Sequence, residues 1–114
     1  MKVLETTQMN HLDIALLQQC KAAISEVVSG AEVILYGSRA RNEAQEYSDY
    51  DLLVLVDESV SMGLKEKILD QVYPVQLETE QMISFIVYNK EQWHSPLYCA
   101  MPLHKNIDRE GIIL

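Results

Sequence analysis

Gly37-Ser38-Arg39-Ala40-Arg41-Asn42, followed after residues 43–47 by Ser48-Asp49-Tyr50-Asp51-Leu52-Leu53-Val54-Leu55-Val56, is the stretch whose reading decides the fold. Before it, Val33-Ile34-Leu35-Tyr36 reads as a short buried strand that stops at Gly37. A glycine at a strand end lets the backbone turn sharply and approach a ligand. Small and polar residues follow, and a short helix is expected to begin at Ser38. Backbone N–H groups at such a turn make an anion site that favours phosphate. Ser38 adds a hydroxyl donor, and Arg39 and Arg41 bring fixed positive charge suited to a triphosphate. Asp49 and Asp51 enter the next strand two residues apart, so both carboxylates leave the same face and Tyr50 the opposite one, as a packing residue. Two neighbouring carboxylates at a buried sheet end repel and call for a cation. Hard oxygen ligands of this kind suit Mg²⁺ held between carboxylates and substrate phosphates. A lone Gly-Ser or a lone Asp-x-Asp is more often an ordinary turn or solvated surface; the ordered combination carries the signal.

Outward from this stretch, helices alternate with strands. From His11 to Ser29 the apolar residues Leu12, Ala15, Leu16, Cys20, Ala23, Ile24, Val27 and Val28 recur at three- and four-residue steps, the mark of an amphipathic helix. Asn10 is placed to cap it, Asp13 lies in its first turn, and Gly30 follows its end. Leu52 to Val56 is apolar on both faces and therefore interior to its sheet. Gly63 to Tyr73 reads as a helix with Leu64, Ile68, Leu69 and Val72 on one side, interrupted by Pro74. Met82 to Tyr88 is a third strand by its β-branched and aromatic content. His94 to Asp108 is expected to close the fold as a helix bent or broken at Pro102, with a terminal strand or docked tail at Ile112 to Leu114. The pattern predicts an α/β (α+β) architecture: a small mixed β-sheet flanked by helices.

The whole chain of 114 residues is read as one domain, with an N-terminal helix at about 11–29, a motif core at 31–88 and a C-terminal helix and tail at 91–114. Apolar residues make up 48%, enough for a core and against wholesale disorder. The formal net charge of −8 opposes nucleic-acid and membrane-surface partners, both polyanionic. No apolar run approaches the roughly 20 residues that span a bilayer, and residues 1–10 lack a secretory pattern. Cys20 and Cys99 fit neither a disulfide framework nor a zinc spacing, so two buried free thiols in a cytoplasmic protein are expected. His11, His94 and His104 have no metal spacing and read as surface or helix-end histidines. Trp93 with Leu97 and Tyr98 is expected to pack the closing helix, and the five Met residues to fill core gaps.

Gly37-Ser38-Arg39-Ala40-Arg41 followed by Ser48-Asp49-Tyr50-Asp51-Leu52-Leu53-Val54 resembles the signature of the minimal nucleotidyltransferases, small members of the DNA polymerase beta-like nucleotidyltransferase superfamily. Asp49, twelve positions after Gly37, fits that pattern. Ile83 to Tyr88, with Glu91 and Trp93, and the tail Pro102 to Ile112 are similar to the later part of such domains, so the likeness covers roughly residues 31–114. It implies the nucleotidyltransferase fold, triphosphate at Gly37 and Ser38 with Arg39 or Arg41 steadying charge, and Mg²⁺ at catalytic Asp49 and Asp51. The implied reaction moves a nucleoside monophosphate, AMP from ATP, onto a hydroxyl of a small molecule or partner protein.

Two positions depart from the family pattern. Asn42 stands where a glycine commonly follows the Gly-Ser run, and Asn tolerates φ > 0 better than most residues. A third carboxylate, usual at the start of the next strand, falls near Met82 or Ser84; Glu78 and Glu80 lie just before it. Glu43 and Glu46 intensify the negative field beside the aspartates. The alternatives are an antitoxin-like interaction protein of a toxin–antitoxin pair and a degenerate nucleotide-binding module. Few residues lie outside the motif core, so a helical toxin-like or substrate-binding partner protein, or a homo-oligomer, is expected to supply acceptor recognition.

Overall fold

The computed structural model describes residues 1–4, 9, 11–43 and 48–114, with the side chains of His11 and Leu12 excepted. The expected cap Asn10 and the acidic Glu46 lie outside the described residues. The elements run β1 (Lys2–Val3), α1 (His11–Val27), β2 (Glu32–Tyr36), β3 (Tyr50–Val56), α2 (Met62–Thr79), β4 (Ile83–Asn89), α3 (Lys90–Trp93), α4 (Pro96–Cys99), α5 (Pro102–Glu110) and β5 (Ile112–Ile113). The five strands form one mixed sheet in the order β1-β5-β2-β3-β4. β2 pairs antiparallel with β3 and β5, whereas β3–β4 and β1–β5 are parallel. β3 is thus interior, as its two-sided apolar sequence requires.

Strand alternation sends side chains to two different covers. Val33 and Leu35 of β2, with Leu52, Val54 and Val56 of β3, pack beneath α1 and α2. Ile34, Leu53 and Leu55 face the other way, onto Trp93 and Ile107 of α3 and α5. The α1 stripe is Leu16, Leu17, Cys20 and Ile24, continued by Val28 just past the helix end; Leu17 is fully buried and Ala15 is exposed, a shift of the stripe from the predicted one. Each such aliphatic side chain contributes about 1.5–3 kcal/mol on burial. Gly30 follows the helix at φ 79°.

Helix α2 runs through Pro74 instead of stopping there. An interior proline costs about 3 kcal/mol, but continuing the helix buries Val75 on the stripe of Leu64, Ile68 and Val72. It also lets the Gln76 side chain accept the Ile83 N–H at 2.9 Å, tying the helix end to β4. Leu69, expected on the buried side, is 46% exposed, because a step of one residue turns it about 100° from Ile68. The Ser61 hydroxyl caps the start, accepting from the Leu64 N–H at 3.1 Å.

The closing segment is three short helices, broken at Ser95-Pro96 as well as at Pro102. Each proline stands at the beginning of a helix, where its missing N–H costs nothing. His104 corrects the surface reading: it is 3% exposed and stacked on Trp93 with centroids 4.3 Å apart. Its Nε2 lies 3.6 Å from Cys99 Sγ, and its Nδ1 lies 3.0 Å from Asp108 Oδ2 without hydrogen-bond alignment. Cys99 is exposed, so only Cys20 is a buried thiol, pushed up to about 12 by that burial. Leu97 is 75% exposed and takes no part in the packing of Trp93 and Tyr98. Met1, Met62 and Met82 are exposed and do not fill the core. The N-terminal β1, not expected from the sequence, exists only by pairing with the equally short β5. No helix among the described residues is long and apolar enough to cross a membrane.

Candidate active site

β2 ends at Gly37, whose φ of 77° is a left-handed value that favours glycine. A Cβ built there would lie 2.5 Å from Asp51 Oδ2, so the carboxylate occupies the space a side chain would need. Glycine is thus required twice, for the turn and for the carboxylate beside it. The chain from 38 to 42 makes turns and not the expected short helix. The N–H groups of Ala40 and Arg41 both donate to Gly37 O at 3.1 Å, and the Glu43 N–H donates to Ser38 O at 2.9 Å. Asn42 sits at φ 57°, the left-handed residue that this closing bond needs.

The two arginines of the turn go to opposite faces. Arg39 donates from Nε and Nη2 to Ser48 O at 3.1 and 2.9 Å. Its Nη1 lies 3.8 Å from Asp13 Oδ1, and its guanidinium carbon stands 4.3 Å above the Tyr50 ring. The Tyr50 hydroxyl donates to the same Asp13 carboxylate, and burial, with Asp13 adding to it, holds that phenol well above its usual range. Arg39 therefore clamps the turn to the start of β3 and to α1. Arg41, on the other side, donates from Nη1 to both Glu110 carboxylate oxygens at 3.2 and 3.1 Å, and from Nε to Glu43 at 3.2 Å. The Gly37 N–H also donates to Glu110 Oε1, at 3.3 Å.

Asp49 precedes β3 and is exposed; Asp51 is the second residue of the strand and half-buried. Burial, and then the neighbouring Asp49 charge, raise the Asp51 carboxyl above its ordinary value, against a smaller opposing pull from Arg41. Two hard oxygen donors side by side, one of them raised by burial and by its neighbour's charge, fit a divalent cation. In register, Asp51 stands between Tyr36 of β2 and Ser84 of β4. The Ser84 hydroxyl donates to Asp49 Oδ2 at 3.2 Å, so the place where the resemblance seeks a third carboxylate holds a serine. Glu78 is exposed in the last turn of α2, and Glu80 is its left-handed cap. Among the described residues, no third His, Cys, Asp or Glu joins the aspartates in a metal-sized cluster.

The structure thus brings Gly37, Ser38, Arg41, Asp49 and Asp51 to one end of the sheet and turns Arg39 away beneath it. Glu110 belongs to the same group and was not singled out in the sequence. Gly111 sets its position: a Cβ there would meet Ile107 O at 2.6 Å and Ile34 Cγ2 at 2.9 Å, so α5 can end directly against β2. The only sequence signal was that glycine beside a carboxylate in the tail.

Known proteins share this arrangement of sequence. Residues 17–111 match the family described as nucleotidyltransferase domain, a span that includes the turn, both aspartates and Glu110. A relative from Methanocaldococcus jannaschii, named "Putative protein adenylyltransferase", is 35% identical over 79 residues, covering 68% of this chain and 80% of its own.

Proposed function

Since the chain belongs to the nucleotidyltransferase domain family, we propose that it transfers AMP from ATP, with Mg²⁺, to a hydroxyl group. The observation that carries this reading is the Asp51 carboxylate packed into the space beside Gly37, which sets the acidic pair against the turn assigned to phosphate. The name of the archaeal relative favours a protein hydroxyl as acceptor. In the reaction, the acceptor oxygen bonds to the α-phosphorus and gives up its hydroxyl proton to water, while the bond from that phosphorus to the bridging oxygen breaks and pyrophosphate leaves. Little covalent chemistry falls to the protein, which positions the groups and stabilises charge. Gly37 and Ser38 would hold the phosphates by backbone and hydroxyl donors, with Arg41 near them. Asp49 and Asp51 would hold the divalent metal, whose charge neutralises the phosphate oxygens. Arg39 keeps the turn and the strand start in register.

Calorimetric titration with ATP, with and without Mg²⁺, tests the reading, followed by transfer of labelled nucleotide in the presence of candidate acceptor proteins. Magnesium-dependent binding that Asp49→Asn abolishes is the expected result. Ser38→Ala should weaken binding by about 0.5–1.5 kcal/mol, the value of one net hydrogen bond. A folded wild-type protein that binds no nucleotide under either condition would overturn the assignment.

A further inference from the structure

The Gly37 N–H and the Arg41 guanidinium, two donors well suited to a phosphate, both face the Glu110 carboxylate. Glu110 is held rather than mobile at this spot: its side chain is 10% exposed, and Gly111 fixes the end of α5 against β2. A carboxylate and a phosphate oxyanion compete for the same donors, a backbone N–H and the arginine fork. The single charge of Arg41 is already met by Glu110 and Glu43, with Asp49 and Asp51 close by, so the site is net negative.

We infer that Glu110 is a built-in occupant of the anion site, taking the place of a phosphate group until a nucleoside triphosphate expels it. The inference rests on the assignment of the Gly37-Ser38 turn to triphosphate. Nucleotide binding then has two parts: breaking the contacts of Glu110 with Gly37 and Arg41, and handing those donors to the phosphate. The position of Glu110 at the end of α5 links occupancy of the site to the helix that packs on Trp93 through His104.

Glu110→Gln keeps the size of the side chain and removes its charge. Magnesium-ATP and magnesium-tripolyphosphate are titrated into the wild type, Glu110→Gln and Glu110→Asp, and the Gly37 amide resonance is followed in the ligand-free proteins. The expected result is that Glu110→Gln binds both probes about fivefold tighter, the scale set by loss of one competing charge, and that its Gly37 amide resonance shifts. Glu110→Asp is one methylene shorter; it retains charge but withdraws from Gly37, and should change affinity in the same direction even if Glu110→Gln folds poorly. Equal or weaker binding by folded variants, with the wild type binding well, overturns the inference and leaves the nucleotide assignment standing. If wild type and variants all fold and none binds either probe, the nucleotide assignment itself fails and the inference goes with it.

Discussion

On the face covered by α1 and α2, twenty buried residues among those described close into a continuous apolar layer; on the face covered by α3 to α5 only five do. At the end where β3 begins, this second face gives way to Asp49, Asp51, Ser84 and Glu110. The same alternation that buries Tyr50 on the first side puts Asp51 on the second. Arg39 and Arg41, also two residues apart, divide likewise: one braces the strand against α1 and the other meets the acidic group. The lesson is that one face carries the stability that lets the other hold mutually repelling charges.

The sharpest way to break that comparison is to truncate each face in turn. Leu17→Ala, at a fully buried position of α1, should cost about 3–5 kcal/mol in urea unfolding. Leu103→Ala, at a partly buried position on the opposite face, should cost about 1–2 kcal/mol. Equal losses would show that the smaller cluster is as cooperative as the larger, and the division of labour would fall.

Next in size is the pair of arginines. Arg39→Ala removes two charged hydrogen bonds to Ser48 and the stacking over Tyr50, and should cost about 2–3 kcal/mol of stability. Arg41→Ala should leave the unfolding midpoint nearly unchanged, because the guanidinium is itself exposed and Glu110 keeps the Gly37 N–H as a donor, while weakening triphosphate binding. A destabilised Arg41→Ala would mean that the Glu110 contact also braces the fold.

These contrasts show what one sequence can and cannot disclose. The strand at 52–56 and the turn at Gly37 were legible because period and turn chemistry are local. The left-handed Asn42 was also anticipated, since few residues other than glycine and asparagine accept its φ of 57°. Continuation of α2 past Pro74 was not, because Val75 and Gln76 reward it only through contacts with the sheet and β4. Nor could spacing tell Arg39 from Arg41, since the choice depends on Asp13, distant in sequence on α1, and on Glu110 near the end of the chain. Glu110 itself depends on α5 stopping against β2, a long-range event with only Gly111 to announce it.

The smallest effect concerns the acidic pair, and its sign is the informative part. Asp51 has its carboxyl raised by burial and by Asp49, so the native state holds that proton more tightly than the unfolded chain does. Its favourable contribution is present below the ordinary carboxylate range, near pH 4, and is lost as pH rises through the raised value. At pH 7 the charged group therefore works against the fold, and Asp51→Asn should melt slightly higher than the wild type, by under about 1 kcal/mol given contact with water. Melting curves at pH 7 and pH 4 should show that advantage shrinking on acidification. Added Mg²⁺ should raise the wild type and leave the variant where it was. If Asp51→Asn is instead the less stable protein at pH 7, Arg41 already satisfies the carboxylate, and the second face stores no repulsion for a metal to relieve.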